Sequence, residues 1–286
     1  MIMRLPKLSL RLSVIFCLLA CLLYGLSAAA IKTPNLKAGW RFETSTITTS
    51  IFNIALTLEG TSSYLSIADA ADLSFGTGTV DQPFSVSAWV YPNGTGNGVI
   101  LAKDSPSSAN REWLVLLDSG TLSFKLLNAD GSQYSAATLA SVATYLTAGA
   151  WHHVVCTYDG RGGATAEAGM KIFIDNEERS LGADNSGSYA AMTAGSNPLT
   201  VGYGNLGTYW PARLAEVRLF SGVLSTTEVA AQYNSGNAQR GTAQNTPGTT
   251  PESDANTKLY FKLDDGSHGT AADFSGNNHS GTLHGF

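Results

Sequence analysis

From about residue 54 to residue 236 the chain is interrupted roughly every eight to fifteen residues by Gly and Ser, and short alternating runs rich in Val, Ile, Phe, Tyr and Thr fill the intervals. Nothing else in the sequence limits the fold so tightly. Runs of this length with period two, bounded by turn formers, predict an all-β chain of antiparallel strands, a two-sheet sandwich. The clearest are 84–91, 113–117, 121–127, 152–158, 171–174, 199–203 and 215–220. In the first, alternation puts Phe84, Val86, Ala88 and Val90 on one face and Ser85, Ser87, Trp89 and Tyr91 on the other. Apolar groups on both faces predict a central strand covered on both sides.

Turn chemistry places two hairpins, one at Asp118, Ser119 and Gly120 and one at Asp175 and Asn176. One short helix breaks the pattern. Ser225 and Glu228 make a capping box, Val229, Ala230 and Tyr233 form the body, and Gly236 is the stop. Residues 237–256 turn to Gly, Thr, Asn, Gln and Pro and read as a flexible linker. Beyond it Leu259, Phe261 and Leu263 alternate with Tyr260 and Lys262, a fresh strand opening the segment 257–286.

The first thirty residues stand apart. Arg4, Lys7 and Arg11 precede an apolar run of 13 residues, 14–26, and then Ala28, Ala29 and Ala30. This is the pattern of a secretory signal peptide over 1–30. The run is short of the roughly 20 residues a spanning helix needs, so no membrane span is expected after cleavage. A lipoprotein-like box at Leu18, Leu19, Ala20 and Cys21 is the alternative, although the residues after Cys21 stay apolar. With the signal removed, Cys156 is the one cysteine left, which forbids an internal disulfide, and its setting in an apolar run marks a buried small hydrophobe. Loss of the three basic residues takes the net charge from −5 to −8, which excludes a nucleic-acid partner as an expectation.

Four segments taken in order carry a resemblance: PFSVSAWVYP at 83–92, GAWHHVVCTYDG at 149–160, KIFIDNEE at 171–178 and LAEVRLFSGVLSTTEVAAQYNSG at 214–236. Together they resemble the laminin G-like group of the concanavalin A-like lectin and glucanase sandwiches. The resemblance implies a two-sheet antiparallel jelly roll with one short capping helix over the domain 31–236. It also bears on the C-terminus. The opening segment of such modules is similar to Tyr260 to Asp265, with Ser275, Gly276, Asn277 and then Gly281, Thr282, Leu283, here displaced to the end of the chain. A shorter echo, Trp40, Arg41, Phe42 and Glu43, stands near the expected mature N-terminus. The segment 257–286 is therefore the start of a second module, a strand that returns in cis, or one given to a neighbour.

Related sandwiches often hold calcium through an Asp before a Gly and an Asp in the strand before the helix. This sequence has Glu59 and Ala215 at those places, with Glu216 beside the latter, so a calcium site is lost or rebuilt from Asp69 and Asp72. Other relatives are glycoside hydrolases with two carboxylates on one strand. Here the dense acidic run Asp175, Asn176, Glu177, Glu178 falls in a turn, and the neighbours His152 and His153 point to opposite faces, so no catalytic set of nucleophile, base and orienter is expected. The candidate ligand-binding residues are instead Tyr203, Asn205, Tyr209 and Trp210 in a glycine-rich connection, where rings can stack on sugar faces and the amide can read hydroxyls. Trp210 before Pro211 also suits a plug at the end of the sandwich. The function expected is a secreted, monomeric, non-catalytic module that binds extracellular carbohydrate or protein at a cell surface. The alternatives are an assembly unit using its C-terminal strand and a glycoside hydrolase.

Overall fold

The structure, a computed structural model, describes residues 55–94, 96–104, 110–204, 207–233, 256–263 and 269–286. The signal peptide, the lipoprotein-like box, the echo at Trp40 to Glu43, nearly all of the linker, Asn205, Gly236, Asp264 and Asp265 lie outside the described residues.

The described strands form two antiparallel sheets. One runs in the order Leu56–Glu59 (β1), Pro211–Ser221 (β13), Phe84–Pro92 (β3), His152–Tyr158 (β8), Met170–Ile174 (β9) and Glu177–Glu178 (β10), with Thr257–Phe261 (β14) also paired to β13. The other runs Gly182–Ser186 (β11), Tyr134–Leu139 (β7), Thr121–Leu127 (β6), Trp113–Asp118 (β5), Gly98–Lys103 (β4), Leu199–Val201 (β12), Tyr64–Ile67 (β2), Gly281–His284 (β16) and Thr270–Ala271 (β15). This is the two-sheet antiparallel sandwich that the alternating runs predict, consistent with the jelly roll that the resemblance implies. Among the described residues no helix is long and apolar enough to cross a membrane.

The core lies between the inner faces. Phe84 of β3 stacks on Phe75 at 4.5 Å and meets Trp113, Phe124 and Tyr158 at 5.2, 5.5 and 6.1 Å, so one side chain ties both sheets together. Cys156 is buried in this core, where desolvation pushes its thiol far above the ordinary range and leaves it inert. The other face of β3 is covered too. Tyr233 of the helix Thr226–Tyr233 (α1) stacks on Trp89 at 5.8 Å, and Ser85 Oγ donates to the Gly222 carbonyl at 2.8 Å. The capping box is formed: Glu228 N–H donates to Ser225 Oγ at 3.3 Å, and Ser225 N–H donates to Glu228 Oε2 at 2.7 Å.

Both hairpins have two-residue loops with left-handed backbone, Ser119 and Gly120 at φ 50° and 78°, Asp175 and Asn176 at φ 54° and 67°. This primed geometry matches the strand twist, and Asp, Asn and Gly tolerate it best.

The C-terminal segment enters both sheets of its own chain. Strand β1 lies along only Pro211 to Leu214 of β13; β14 takes the same edge further on, with Val217 opposite Phe261 and Leu219 opposite Leu259. Between them β13 bulges at Glu216, φ 52°, whose buried carboxylate accepts from Arg218 Nη2 at 2.9 Å and from the Tyr260 hydroxyl. Leu259, Phe261 and Leu263 are buried. The Ser-Gly-Asn signature works as a clasp. Asp273 accepts from Tyr260 N–H at 3.0 Å, Ser275 N–H at 2.9 Å and His279 N–H at 2.9 Å, and Asn277 Nδ2 donates to the Thr257 carbonyl at 2.9 Å. Strand β16 then pairs with β2 of the same chain, the arrangement of a strand that returns in cis.

Candidate functional site

The site begins with β2, whose alternation sends Leu65 and Ile67 inward and Tyr64 and Ser66 outward. His284 of β16 lies directly opposite Tyr64. The two rings stack at 4.3 Å with planes 9° apart, and His284 Nε2 is 2.7 Å from Ser66 Oγ. On the other side of β2 comes β12, where Thr200 Oγ1 lies within bonding reach of the Tyr203 carbonyl at 2.7 Å and of the Ala102 carbonyl at 3.2 Å. Gly202 has φ 83°, and a Cβ there would stand 2.2 Å from Leu58, so glycine is required where the chain turns outward. The connection closes on itself by a bridge between Tyr203 and Tyr209, whose rings stack at 4.8 Å. Both reach Tyr64, at 5.0 and 6.1 Å.

Tyr64, Tyr203, Tyr209 and His284 thus make one half-buried aromatic patch on the outer face of the second sheet. Burial first, then Tyr209 and Tyr203, raise the Tyr64 hydroxyl above its ordinary range, so it stays protonated. The patch offers ring faces for C–H groups together with neutral hydroxyls, the pairing of surfaces that a sugar ring presents.

Of the residues expected here, Tyr203 and Tyr209 belong to the patch, while Trp210 does not. It is fully buried, and β4 presses on it so closely that a Cβ on Gly98 would stand 2.3 Å from its side chain. Trp210 is the plug, a correction to its reading as a stacking platform. Sequence reasoning missed Tyr64 and His284. Their outward alternation in YLSI and GTLH was visible, but the long-range pairing of β2 with β16, which sets Tyr64 opposite His284 and Ser66 opposite Thr282, was not.

The candidate calcium ligands are not brought together. Glu59 is exposed at the end of β1, Asp69 binds the Lys103 ammonium, Asp72 lies 3.0 Å from His279 Nε2, and Glu216 is buried against Arg218. Among the described residues no cluster of three or more His, Cys, Asp and Glu is suited to a metal.

The acidic run of the β9 to β10 turn is fully engaged: Asp175 with His152 at 2.8 Å, Glu177 with Arg179 at 2.8 Å and Glu178 with Lys171 at 3.0 Å. One arrangement was not foreseen. Thr147 Oγ1, His152 and Asp175 line up as hydroxyl, imidazole and carboxylate, with 3.0 Å to His152 Nε2 and 2.8 Å from its Nδ1. The geometry resembles a nucleophile, base and orienter. The Nε2 lone pair, however, already accepts the Thr147 backbone N–H at 3.0 Å, so it is not available to take the hydroxyl proton. Burial alone would raise Asp175, but bonds from His152 and the His153 N–H hold it below its ordinary range. The trio ties the turn before β8 to the hairpin after β9. As expected for adjacent strand residues, His153 faces the other way, onto Ser87 Oγ at 2.9 Å.

A family model described as the concanavalin A-like lectin/glucanases superfamily matches residues 59–230. No curated protein matches the chain. Among solved structures, a Bacteroides ovatus protein put forward as carbohydrate binding aligns at 17% identity with a TM-score of 0.48, over 80% of this chain and 58% of its own. The botulinum neurotoxin serotype D binding domain aligns at 16% identity with a TM-score of 0.44, over 65% of this chain and 44% of its own. The chain therefore spans less than two thirds of either of these proteins.

Proposed function

The chain belongs to the concanavalin A-like lectin/glucanase superfamily, and from that premise we propose that it is a non-catalytic module that binds glycan through Tyr64, Tyr203, Tyr209 and His284, acting outside the cell or at its surface. The observation that carries the reading is the convergence of three tyrosines and a histidine from three separate parts of the chain onto one half-buried patch. A core has no use for phenol rings held at the surface, whereas a saccharide site needs both their faces and their hydroxyls. The engaged acids of the β9 hairpin and the blocked imidazole of His152 support binding over hydrolysis. Export is supported by the basic, apolar and small-residue pattern of residues 1–30.

A glycan array probed with the mature chain tests this. Tyr203→Ala is expected to weaken the leading glycan by about 1–2 kcal/mol, roughly 5- to 30-fold, with the melting temperature little changed. Binding unaffected by Tyr203→Ala and Tyr64→Ala would remove the patch from the account, and release of reducing sugar from a bound polysaccharide would make the protein an enzyme.

A further inference from the structure

A second row of side chains crosses the outer face of the opposite sheet. Thr57 of β1 lies opposite Arg213 of β13, and Arg213 lies opposite Tyr91 of β3. The Arg213 guanidinium carbon is 5.1 Å from the Tyr91 ring centroid, and Tyr91 meets Trp151 edge-on at 5.5 Å. The loop carrying Trp151 is pinned by Gly149 N–H donating to the Pro92 carbonyl at 2.9 Å. Trp151 also packs against the Trp89 and Ala215 cluster. Tyr91 and Trp151 are half-buried and Arg213 is exposed. Among the described residues no carboxylate forms an ion pair with Arg213; Glu59 lies on the same face of β1 as Thr57, opposite Pro211.

The chemistry differs from that of the tyrosine patch. A guanidinium backed by one ring presents its fork of N–H donors to a planar anion, and the neighbouring indole supplies a flat apolar surface. We propose that this row is a separate saccharide site for carboxylated sugars, with a uronic-acid carboxylate on Arg213 and the adjoining sugar ring against Trp151. The net charge of the chain is negative, so a polyanion gains nothing from general attraction and must be held by this local fork. The site needs none of Tyr64, Tyr203, Tyr209 or His284 and stands or falls independently of them.

Affinity electrophoresis of the mature chain in gels containing polygalacturonate tests the proposal, with its fully methyl-esterified form and poly-glutamate as controls. Retardation by polygalacturonate and not by the ester is expected. Affinity should fall about tenfold or more in Arg213→Gln, the scale of losing a charged hydrogen-bonded pair, and also in Trp151→Ala. Arg213→Lys should lie between, Glu59→Gln should bind more tightly, and Tyr203→Ala should leave the retardation unchanged. Arg213 is exposed, so its variants test binding without endangering the fold. Absence of retardation, retardation equal in Arg213→Gln, or equal retardation by poly-glutamate regardless of Trp151 would overturn the proposal, the last by pointing to an acidic peptide instead.

Discussion

Gly98 and Trp210 show how much can turn on one contact. The indole is fully buried and lies where a Cβ at position 98 would have to be, so Gly98→Ala forces either the ring or β4 to move. We expect a loss of about 1–3 kcal/mol in denaturant unfolding, the usual cost of overpacking. The sequence shows Trp210 as an aromatic beside a glycine-rich turn; it does not show which strand passes beneath it. Two buried titratable groups make opposite predictions. Burial first, then the Arg218 charge, lowers His153 from its ordinary 6.5 to about 3, while Asp175 opposes the shift. The unfolded chain therefore binds a proton that the fold refuses, and stability is lost as pH falls below 6.5. Compared with His153→Gln, the native chain should lose up to about 1.4 kcal/mol per pH unit between pH 6.5 and 4. Burial first raises Glu112 from 4.5 to about 7, against the pull of Lys103, the Gly195 N–H and Ser74. Here the fold holds the extra proton, so relative to Glu112→Gln the native chain should lose stability as pH rises from 4.5 to 7. Urea unfolding of the three proteins across this range reads both signs.

Elements were legible where local chemistry decides them. The runs at 121–127 and 152–158 coincide with β6 and β8, and the capping box set the start of α1, because alternation, turn residues and caps act within a few residues. Ser225→Ala should cost about 1 kcal/mol by removing the acceptor for the Glu228 N–H, a loss visible in thermal melts. Strands that escaped notice have other origins. β4 reads GVILAK and is buried along its whole length, so it has no alternation to find. β7 is rich in Ala and Ser, and β11, GADNS, is an exposed edge made a strand by pairing with β7. The run at 199–203 ends early, at Val201, because Gly202 turns the chain outward to build the tyrosine patch.

At the scale of the whole molecule, the C-terminal segment supplies an edge strand to each sheet and one wall of the aromatic patch. Its motif was readable as an opening segment, but its partners, β13 and β2, are set by long-range pairing. Removing 257–286 takes away the buried side chains of Leu259 and Phe261 and uncovers the edge of β13 that they cover, so the shortened chain should melt lower than the full one. The sandwich and the site are then one construction: β16 brings His284 onto Tyr64 only when the segment is docked. The most direct measurement is a glycan-array comparison of the mature chain with a chain ending at Ser280, which keeps β14 and its clasp and lacks β16. The account predicts that the shorter chain stays folded and loses the glycan signal that Tyr64→Ala also abolishes. A signal of equal strength in the chain without His284 would contradict it.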